Sequence, residues 1–380
     1  MTVYLDNAST THPKPETVYE ALDRFARNFM ANPGRAGHRM ALAAERALDQ
    51  TRHLLHQFFG SQSPDRWIFT LNCTDALNIA IKGTLNDGDH VITSSLEHNS
   101  ISRPLRAMEL AGRITVTRLE PDRHGTLRLE DLEKAFTPKT RLVALTHASN
   151  VLGTVQPIAE AAWITRSKDA LFLLDAAQSA GVLPISVEPM HIDLLATAGH
   201  KGLMGPLGTG VLYAGPRTNL RPWREGGTGG DSSTETQPRE MPYLLEGGTP
   251  NVVGVEGLGA GIRWLTEKGI DAVHRHESIL AERLSAGLAE IPGLELYGHR
   301  DWNRRVANVP FRLEILPATE VGGILDQAFD IAVRPGLHCA PFVHKALGTY
   351  PDGLVRASIG PFNTESDIDA LIAAVREIAG

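Results

Sequence analysis

The chain has 380 residues, of which 42% are hydrophobic and 21% are charged, and it carries a net charge of −7. This composition is typical of a folded globular protein, and the mildly acidic charge gives no reason to expect binding to nucleic acid or to a membrane surface. The first residues show neither the basic nor the apolar region of a secretory signal, and no apolar run is long enough to span a bilayer. The length predicts two domains rather than one compact core.

The chain contains only two cysteines, Cys73 and Cys339. Two cysteines so far apart in sequence form neither a disulfide framework nor a metal-ligand cluster, so no metal site is predicted. Free thiols suit a reducing compartment, and we therefore expect a cytoplasmic protein.

The first two-thirds of the chain reads as helices followed by alternating strands and helices. Apolar spacing predicts helices at 16–30 and 38–59, separated by a loop at 32–37. Further helices are predicted at 75–83, 99–111, 129–136 and 157–167, and strands at 67–70, 90–94, 114–119, 142–147, 171–175, 192–196 and 209–213. Strands that alternate with helices indicate an α/β fold with a mostly parallel sheet covered on both faces.

The pattern changes after a Gly-, Ser- and Thr-rich loop at 226–237. A helical region broken near Gly269, two strands and two more helices are predicted at 255–291, 294–297, 306–311, 319–329 and 365–378. We therefore predict an N-terminal segment (1–15), a large domain (16–251) and a smaller α+β C-terminal domain (252–380).

Lys201 follows two apolar runs that read as buried strands, at 171–175 and 192–196. Burial disfavours the ammonium form, so such a lysine can become a neutral amine that forms a Schiff base with an aldehyde. The aldehyde that proteins most often hold in this way is pyridoxal phosphate (PLP). A lone lysine beside a turn is usually a surface residue, so this interpretation depends on the other residues predicted to lie nearby.

Polar residues follow the predicted strands, where ligands bind in sheets of this kind. These residues lie at 72–75, 97–99, 147–150, 175–178 and 199–201. Thr74, before a predicted helix start, could help to bind a phosphate, although alone it would simply be an N-cap. Asp175 could keep a pyridine nitrogen protonated, and His98 could stack on the ring, although a lone histidine is more often structural.

These motifs resemble those of PLP-dependent enzymes of fold type I, in the class V aminotransferase group and specifically cysteine desulfurases of group II. The matching motifs run along the whole chain, at residues 4–10, 97–98, 149–153, 175–179, 199–202, 246–251, 334–340 and 355–358. The resemblance implies a large domain with a seven-stranded type of sheet and a smaller C-terminal domain that carries a catalytic cysteine loop.

The resemblance assigns a role to each residue expected around the cofactor ring. Lys201 would bond covalently to PLP, and His98 would stack on the ring. Asp175 would pair with the pyridine nitrogen, while Asn150 and Gln178 would lie near the phenolic oxygen.

At the cofactor phosphate, the resemblance implies contacts from Thr74, with Cys73 beside it, and from His200. Gly248 and Thr249 would reach the phosphate of a partner subunit. The protein would therefore be a homodimer with its active site at the subunit interface.

The resemblance also assigns the substrate and catalytic residues. Arg356 would clamp the substrate carboxylate, a role suited to the guanidinium fork, and Cys339 would be the catalytic thiol. His98 would shuttle the proton of the substrate thiol. Asn150, Asn7 and His38 are further candidates for substrate binding.

Three positions depart from the family pattern. Ala198 stands where a serine is usual, so one phosphate hydroxyl is missing unless Thr197 replaces it. Cys73 stands where a threonine is common. Leu337 precedes His338 and Cys339 where the family has a second histidine, so the acid–base surroundings of the loop could differ.

The implied reaction converts L-cysteine to L-alanine and leaves the sulfur as a persulfide on Cys339, which a sulfur-acceptor protein would then receive. A selenocysteine lyase, another C–S lyase or a class V aminotransferase would need the same cofactor residues. Cys339 favours desulfuration, although a lone cysteine is more often a small buried hydrophobe. A non-catalytic scaffold would not need these residues, and the glycines of 205–210 lack the order of a dinucleotide-binding motif.

Overall fold

The computed structural model describes residues 2–34, 37–229 and 233–380, so parts of the predicted loops at 32–37 and 226–237 lie outside it. The strands are β1 (Val3–Tyr4), β2 (Trp67–Thr70), β3 (His90–Ser94), β4 (Thr115–Leu119), β5 (Thr140–Thr146), β6 (Leu171–Asp175), β7 (Leu194–Ala198), β8 (Gly210–Ala214), β9 (Leu294–Leu296), β10 (Asn308–Leu313), β11 (Ile331–Ala332), β12 (Arg334–Gly336) and β13 (Leu354–Ser358). The helices are α1 (Glu16–Asn28), α2 (Arg39–Phe59), α3 (Cys73–Thr84), α4 (Asn99–Leu110), α5 (Leu129–Ala135), α6 (Ile158–Ser167), α7 (Val252–Lys268), α8 (Ile270–Ala289), α9 (Ala318–Phe329), α10 (Pro341–Leu347) and α11 (Glu365–Ala379).

The main sheet has seven strands in the order β2-β8-β7-β6-β5-β3-β4. β8 runs antiparallel to both neighbours, and the other pairings are parallel. Along β5, Val143 and Leu145 belong to one core cluster, whereas Leu142 and Ala144 belong to the cluster on the opposite face. The sheet is therefore buried on both faces, which explains why its strands are apolar throughout. The predicted α/β fold with a mostly parallel sheet is confirmed.

The second sheet is antiparallel, in the order β12-β13-β10-β9. Its core joins Phe311 and Val355 of the sheet to Leu284 of α8 and Leu371 of α11. Leu5 belongs to the same core, because β1 pairs in parallel with β11. Four strands were not predicted: β1, β11 and β12 have two or three residues and are too short to show a period, and the apolar run of β13 is interrupted by Arg356.

The start of α3 and the end of β7, both next to predicted site residues, differ from the prediction. α3 begins at Cys73 rather than at residue 75, and Asn72 is its N-cap, accepting a hydrogen bond from the Asp75 N–H at 2.9 Å. Thr74 is therefore not the N-cap, and its hydroxyl is available for another contact. β7 ends at Ala198, two residues later than predicted, which brings Lys201 closer to the end of the strand.

The predicted break in the long helical region is confirmed at Gly269, whose φ is +80°. Before the break, α7 packs against α1 and α2, with Val252 and Val255 in one core cluster with Phe25. Within the described ranges, no helix is both long enough and apolar enough to cross a membrane.

Candidate active site

A cavity of about 210 Å³ opens at the carboxyl ends of the parallel strands. Predicted site residues lining this cavity are Cys73, Thr74, His98, Asn150, Asp175, Gln178, His200 and Lys201. The polar residues after β2, β3, β5, β6 and β7 therefore meet, as expected where parallel strands end together. Ser9, Ser100 and Arg334 also line the cavity. Ser9 and Arg334 belong to the matching motifs at 4–10 and 334–340, but no role was predicted for any of the three.

Lys201 lies three residues beyond the end of β7 and faces the cavity. Burial lowers the pKa of its amine, while the nearby Cys73 and Asp175 oppose this shift. The hydroxyl of Thr11 donates to the Lys201 carbonyl at 3.1 Å, which fixes the backbone at this position. No hydrogen bond to Nζ occurs within the described residues, so the amine is available as a nucleophile.

Asp175 ends β6 and is 3% exposed. Its Oδ1 accepts a hydrogen bond from the Ala177 N–H at 2.9 Å and lies 3.6 Å from the Cys73 sulfur. Burial raises the pKa of this carboxyl group, because few cationic partners offset the loss of water. A protonated ring nitrogen in the cavity would supply such a partner, which fits the predicted role of Asp175.

The N-termini of α3 and α4 meet at one end of the cavity. Thr74 Oγ1 and Ser100 Oγ lie 2.7 Å apart there, on the first turns of the two helices. His200 lines the same cavity, and its buried Nδ1 has no partner among the described residues. Hydroxyls, helix N-termini and an unpaired ring nitrogen together suit an oxyanion such as a phosphate.

Burial, followed by the charges of Lys201 and Lys14, lowers the pKa of His200 to about 4. His200 is therefore neutral near pH 7 and can act at a phosphate only as a hydrogen-bond partner. Thr197 does not supply the hydroxyl missing at Ala198, because it is buried and donates to the Ala176 carbonyl at 3.2 Å. Ser100 offers a hydroxyl to the cavity instead.

His98 is the N-cap of α4, and its Nδ1 accepts a hydrogen bond from the Ser100 N–H at 3.1 Å. Ser100 Oγ lies 2.8 Å from the same nitrogen. Burial and then the positive charges of Lys201, Arg334, Arg103 and Arg356 lower the pKa of His98 to about 4.

Cys339 lies in the loop between β12 and α10. Both His338 and Cys339 have left-handed backbone conformations, with φ of 51° and 58°, which is uncommon outside glycine. Asn150 Nδ2 donates to the His338 carbonyl at 2.6 Å, and the Asn99 N–H donates to the Cys339 carbonyl at 2.8 Å. Arg334 Nη2 donates to the Cys339 sulfur at 3.2 Å, so the loop holds the thiol next to a guanidinium.

Arg356, in the middle of β13, is fully buried and does not line the cavity. Its Nη2 donates to Asp6 at 2.8 Å and to Ser9 at 3.1 Å, and its Nη1 donates to the Asn150 carbonyl at 2.7 Å. Burial lowers its pKa to about 10, so it stays charged near neutral pH. Among the described residues, Arg334 is the arginine that lines the cavity.

The remaining predicted residues lie outside the cavity. Asn7 borders a neighbouring cavity of about 40 Å³ that Gln178 and Lys201 also line. His38 is exposed and caps α2, accepting from the Ala41 N–H at 3.2 Å. Gly248 and Thr249 are exposed on a loop.

The chain matches the family model for class-V aminotransferases over residues 3–371. The chain belongs to the class-V aminotransferase family. A protein of Methanothermobacter thermautotrophicus called a probable cysteine desulfurase is 37% identical, over 100% of this chain and 95% of its own. A protein of Halalkalibacterium halodurans with the same name is 36% identical, over 97% and 91% of the two chains.

Solved structures of cysteine desulfurases are also similar to this chain. The apo structure of a cysteine desulfurase from Thermococcus onnurineus has a TM-score of 0.94 at 33% identity and covers 100% of this chain and 94% of its own. A cysteine desulfurase from Escherichia coli has a TM-score of 0.89 at 30% identity, with the same coverage. These matches confirm the predicted resemblance and the predicted fold class.

Proposed function

We propose that the protein is a cysteine desulfurase that converts L-cysteine to L-alanine and keeps the sulfur as a persulfide on Cys339. One observation carries this proposal: the Cys339 thiol lies on the loop that follows β12, and Arg334, the first residue of β12, both contacts the sulfur and lines the cavity of Lys201 and Asp175. The names of the similar proteins support the same activity.

PLP is the proposed cofactor, and the residues of the cavity fit it. Lys201 would hold it covalently, Asp175 would pair with its ring nitrogen, and His98 would stack on its ring. Thr74 and Ser100 would bind its phosphate together with His200, whose unpaired Nδ1 then gains a partner. When bound, PLP supplies an electron sink that stabilises negative charge at the substrate Cα.

The chain itself supplies the proton transfer and the sulfur acceptor. Lys201 Nζ can accept the Cα proton of the substrate, because its lowered pKa favours the neutral amine. The Cys339 thiolate attacks the substrate sulfur, so that an S–S bond forms as the Cβ–S bond breaks. The electron pair of the broken bond ends on Cβ, which takes up a proton and becomes the methyl group of alanine.

Substrate binding is proposed for Arg356, Asn150, Asn7 and His38. The buried position of Arg356 favours an indirect contribution, because its guanidinium is already bonded to Asp6, Ser9 and the Asn150 carbonyl. Arg334, which faces the cavity, is a second candidate for the substrate carboxylate.

The competing proposal is that the protein is a selenocysteine lyase, another C–S lyase or an aminotransferase. The test incubates the PLP-loaded protein with L-cysteine, L-selenocysteine or cystathionine and measures alanine, and sulfide or selenide, together with the mass of the Cys339 peptide. A desulfurase forms alanine from L-cysteine and adds one sulfur atom to that peptide, and Cys339→Ser abolishes both. Alanine formation at the wild-type rate by Cys339→Ser would instead support a lyase or an aminotransferase.

A cytoplasmic homodimer and a sulfur-acceptor protein complete the proposal. Gly248 and Thr249 are exposed and lie outside the cavity of their own chain, which supports a contact with the cavity of a partner subunit.

We also propose the division into an N-terminal segment and two domains, although the packing of α7 on α1 and α2 favours a domain boundary at Gly269 rather than after residue 251.

A further inference from the structure

The outer edge of β2 carries an ion pair between Arg52 of α2 and Glu246. β2 is the first strand of the main sheet, and among the described strands it pairs only with β8. Glu246 Oε1 accepts a hydrogen bond from the Phe69 N–H at 2.7 Å, and Arg52 Nε donates to the Trp67 carbonyl at 3.2 Å. The two side chains therefore pair with backbone groups that an edge strand leaves free.

Arg52 and Glu246 also hold each other in place. Arg52 Nη2 donates to Glu246 Oε2 at 2.5 Å, and the two side chains are only 8% and 16% exposed. The Arg52 guanidinium lies 4.7 Å from the centre of the Phe69 ring. A planar guanidinium that contacts a carboxylate, a carbonyl and an aromatic face has little freedom to turn, so Glu246 is fixed against β2.

Glu246 directly precedes the loop at 247–250, and the other end of this loop is fixed as well. Asn251 is the N-cap of α7, and its Nδ2 donates to the Gly208 carbonyl at 3.0 Å. Since α7 packs against α1 and α2, both ends of the loop are attached to the core of the large domain.

The loop itself has a defined shape and presents one free hydroxyl. The Gly248 N–H donates to the Gly227 carbonyl at 2.7 Å, and Gly248 has a φ of +90°, a conformation that favours glycine. Thr249 is exposed, and its side chain makes no hydrogen bond within the part of the chain that the structure describes. The Thr249 hydroxyl is therefore available to a group outside its own chain.

We propose that Arg52 and Glu246 are positioning residues for the cofactor site of the partner subunit. By fixing the loop at 247–250, they place the Thr249 hydroxyl where it can donate to the phosphate in that subunit's cavity. Because the loop is already ordered, its conformational entropy is lost on folding rather than on cofactor binding.

The inference rests on the PLP cofactor and the homodimer of the proposed function, but not on the reaction that follows. Neither Arg52 nor Glu246 lines the cavity of its own chain. An effect of these residues on cofactor retention therefore has to reach a cavity through the loop, and the proposal requires that cavity to belong to the other subunit.

The first test measures PLP retention in the loaded protein by equilibrium dialysis. Glu246→Gln should weaken retention about tenfold, in the range for loss of one hydrogen bond, because a single amide oxygen cannot accept from both the Phe69 N–H and Arg52. Glu256→Gln is the matched control, since it breaks a similarly buried ion pair with Arg24 on α7, away from the loop, and should retain PLP normally. Unchanged retention in Glu246→Gln would overturn the proposal.

A second variant keeps the test decisive if Glu246→Gln does not fold, which urea unfolding checks. Arg52→Lys keeps the positive charge but loses the fork that joins the Trp67 carbonyl to Glu246, so it should weaken retention in the same direction. Normal retention in a folded Arg52→Lys protein would contradict the role of Arg52.

Mixed dimers separate an effect on the partner from an effect within one chain. Lys201→Ala in one subunit leaves a single Lys201 in the dimer. In the first dimer, Glu246→Gln lies in the subunit that keeps Lys201, whose cavity then faces an intact loop. In the second, Glu246→Gln lies in the Lys201→Ala subunit, so the altered loop faces the intact Lys201. Borohydride trapping after dialysis, with mass spectrometry of the Lys201 peptide, measures retention in that one cavity.

Retention should be normal in the first mixed dimer and about tenfold weaker in the second. The reverse order, or equal losses in both, would show that Glu246 acts within its own chain and would overturn the proposal. A wild-type protein that sediments as a monomer would overturn it too. Absence of alanine formation from L-cysteine would overturn only the proposed reaction, because retention of PLP requires no turnover.

Discussion

The guanidinium of Arg334 donates a hydrogen bond to the sulfur of Cys339 at 3.2 Å. Its other terminal nitrogen donates to Ser9 Oγ at 3.1 Å, and Arg356 donates to the same hydroxyl at 3.1 Å. Ser9 thus connects the arginine that faces the cavity to the arginine buried behind it. A cationic donor beside sulfur stabilises negative charge there, and the attack on the substrate sulfur requires a thiolate.

We predict that Arg334→Met slows formation of the Cys339 persulfide by about 10²-fold, the effect expected when one preorganised donor is lost. Alkylation of Cys339 by iodoacetamide should slow in parallel. Both rates are measured by mass spectrometry of the Cys339 peptide. Arg275→Met, at an exposed position on α8, is the control. Unchanged rates in Arg334→Met would show that Arg334 does not assist the Cys339 thiolate.

A second prediction concerns the substrate carboxylate. Arg356→Lys keeps the charge but loses the fork that binds Asp6, Ser9 and the Asn150 carbonyl together, so the KM for L-cysteine should rise and the protein should lose about 1–3 kcal/mol of stability. Steady-state kinetics and urea unfolding measure the two effects. If Arg334→Lys raises KM and Arg356→Lys does not, Arg334 holds the carboxylate instead.

A third prediction concerns Lys201. The purified protein should be yellow, and reduction with borohydride should attach the cofactor irreversibly to the peptide that contains Lys201. The reason is the lowered pKa of this buried amine at the end of the cavity. Lys14 serves as the internal comparison, because it is half-buried and burial lowers its pKa to about 7. Recovery of the label on Lys14 would contradict the assignment to Lys201.

Local patterns in the sequence were enough to predict which residues lie together at the cavity. Each polar residue after a parallel strand reaches the same sheet edge, because alternation of strands and helices leaves little choice of topology. Ser100 and Arg334 were not singled out, since their roles depend on contacts that sequence spacing does not show. Thr74 lies 26 residues from Ser100, and Ser9 lies 325 residues from Arg334.

A fourth prediction tests the proposed dimer. Thr249→Ala should weaken retention of PLP by about 1–3 kcal/mol, because a partner subunit's phosphate site would lose a donor. Equilibrium dialysis measures retention, and sedimentation should show a dimer for the wild type and the variant. Thr115→Ala, at an exposed position of β4, is the control. A fully active wild-type monomer would contradict both the dimer and the role of Thr249.

The last prediction concerns Glu97, which is 1% exposed and directly precedes His98. Glu97 Oε1 accepts hydrogen bonds from Ser94 Oγ and from the Thr146 N–H, and its buried Oε2 has no partner in the described part of the chain. Burial, with a smaller contribution from Asp175, raises its pKa from 4.5 to about 8. Folding therefore favours the protonated carboxyl group, and Glu97 is neutral near pH 7.

Because the folded state holds this proton more tightly than the unfolded state, the contribution of Glu97 to stability is complete below pH 4.5 and is lost as the pH rises to about 8. Glu97→Gln is nearly isosteric and cannot ionise. Urea unfolding should give similar stabilities for the wild type and the variant at the acidic end of this range, and a more stable variant at its alkaline end. Glu267→Gln, at an exposed position on α7, should follow the wild type throughout. A constant difference between Glu97→Gln and the wild type across the range would show that Glu97 is ionised in the folded protein.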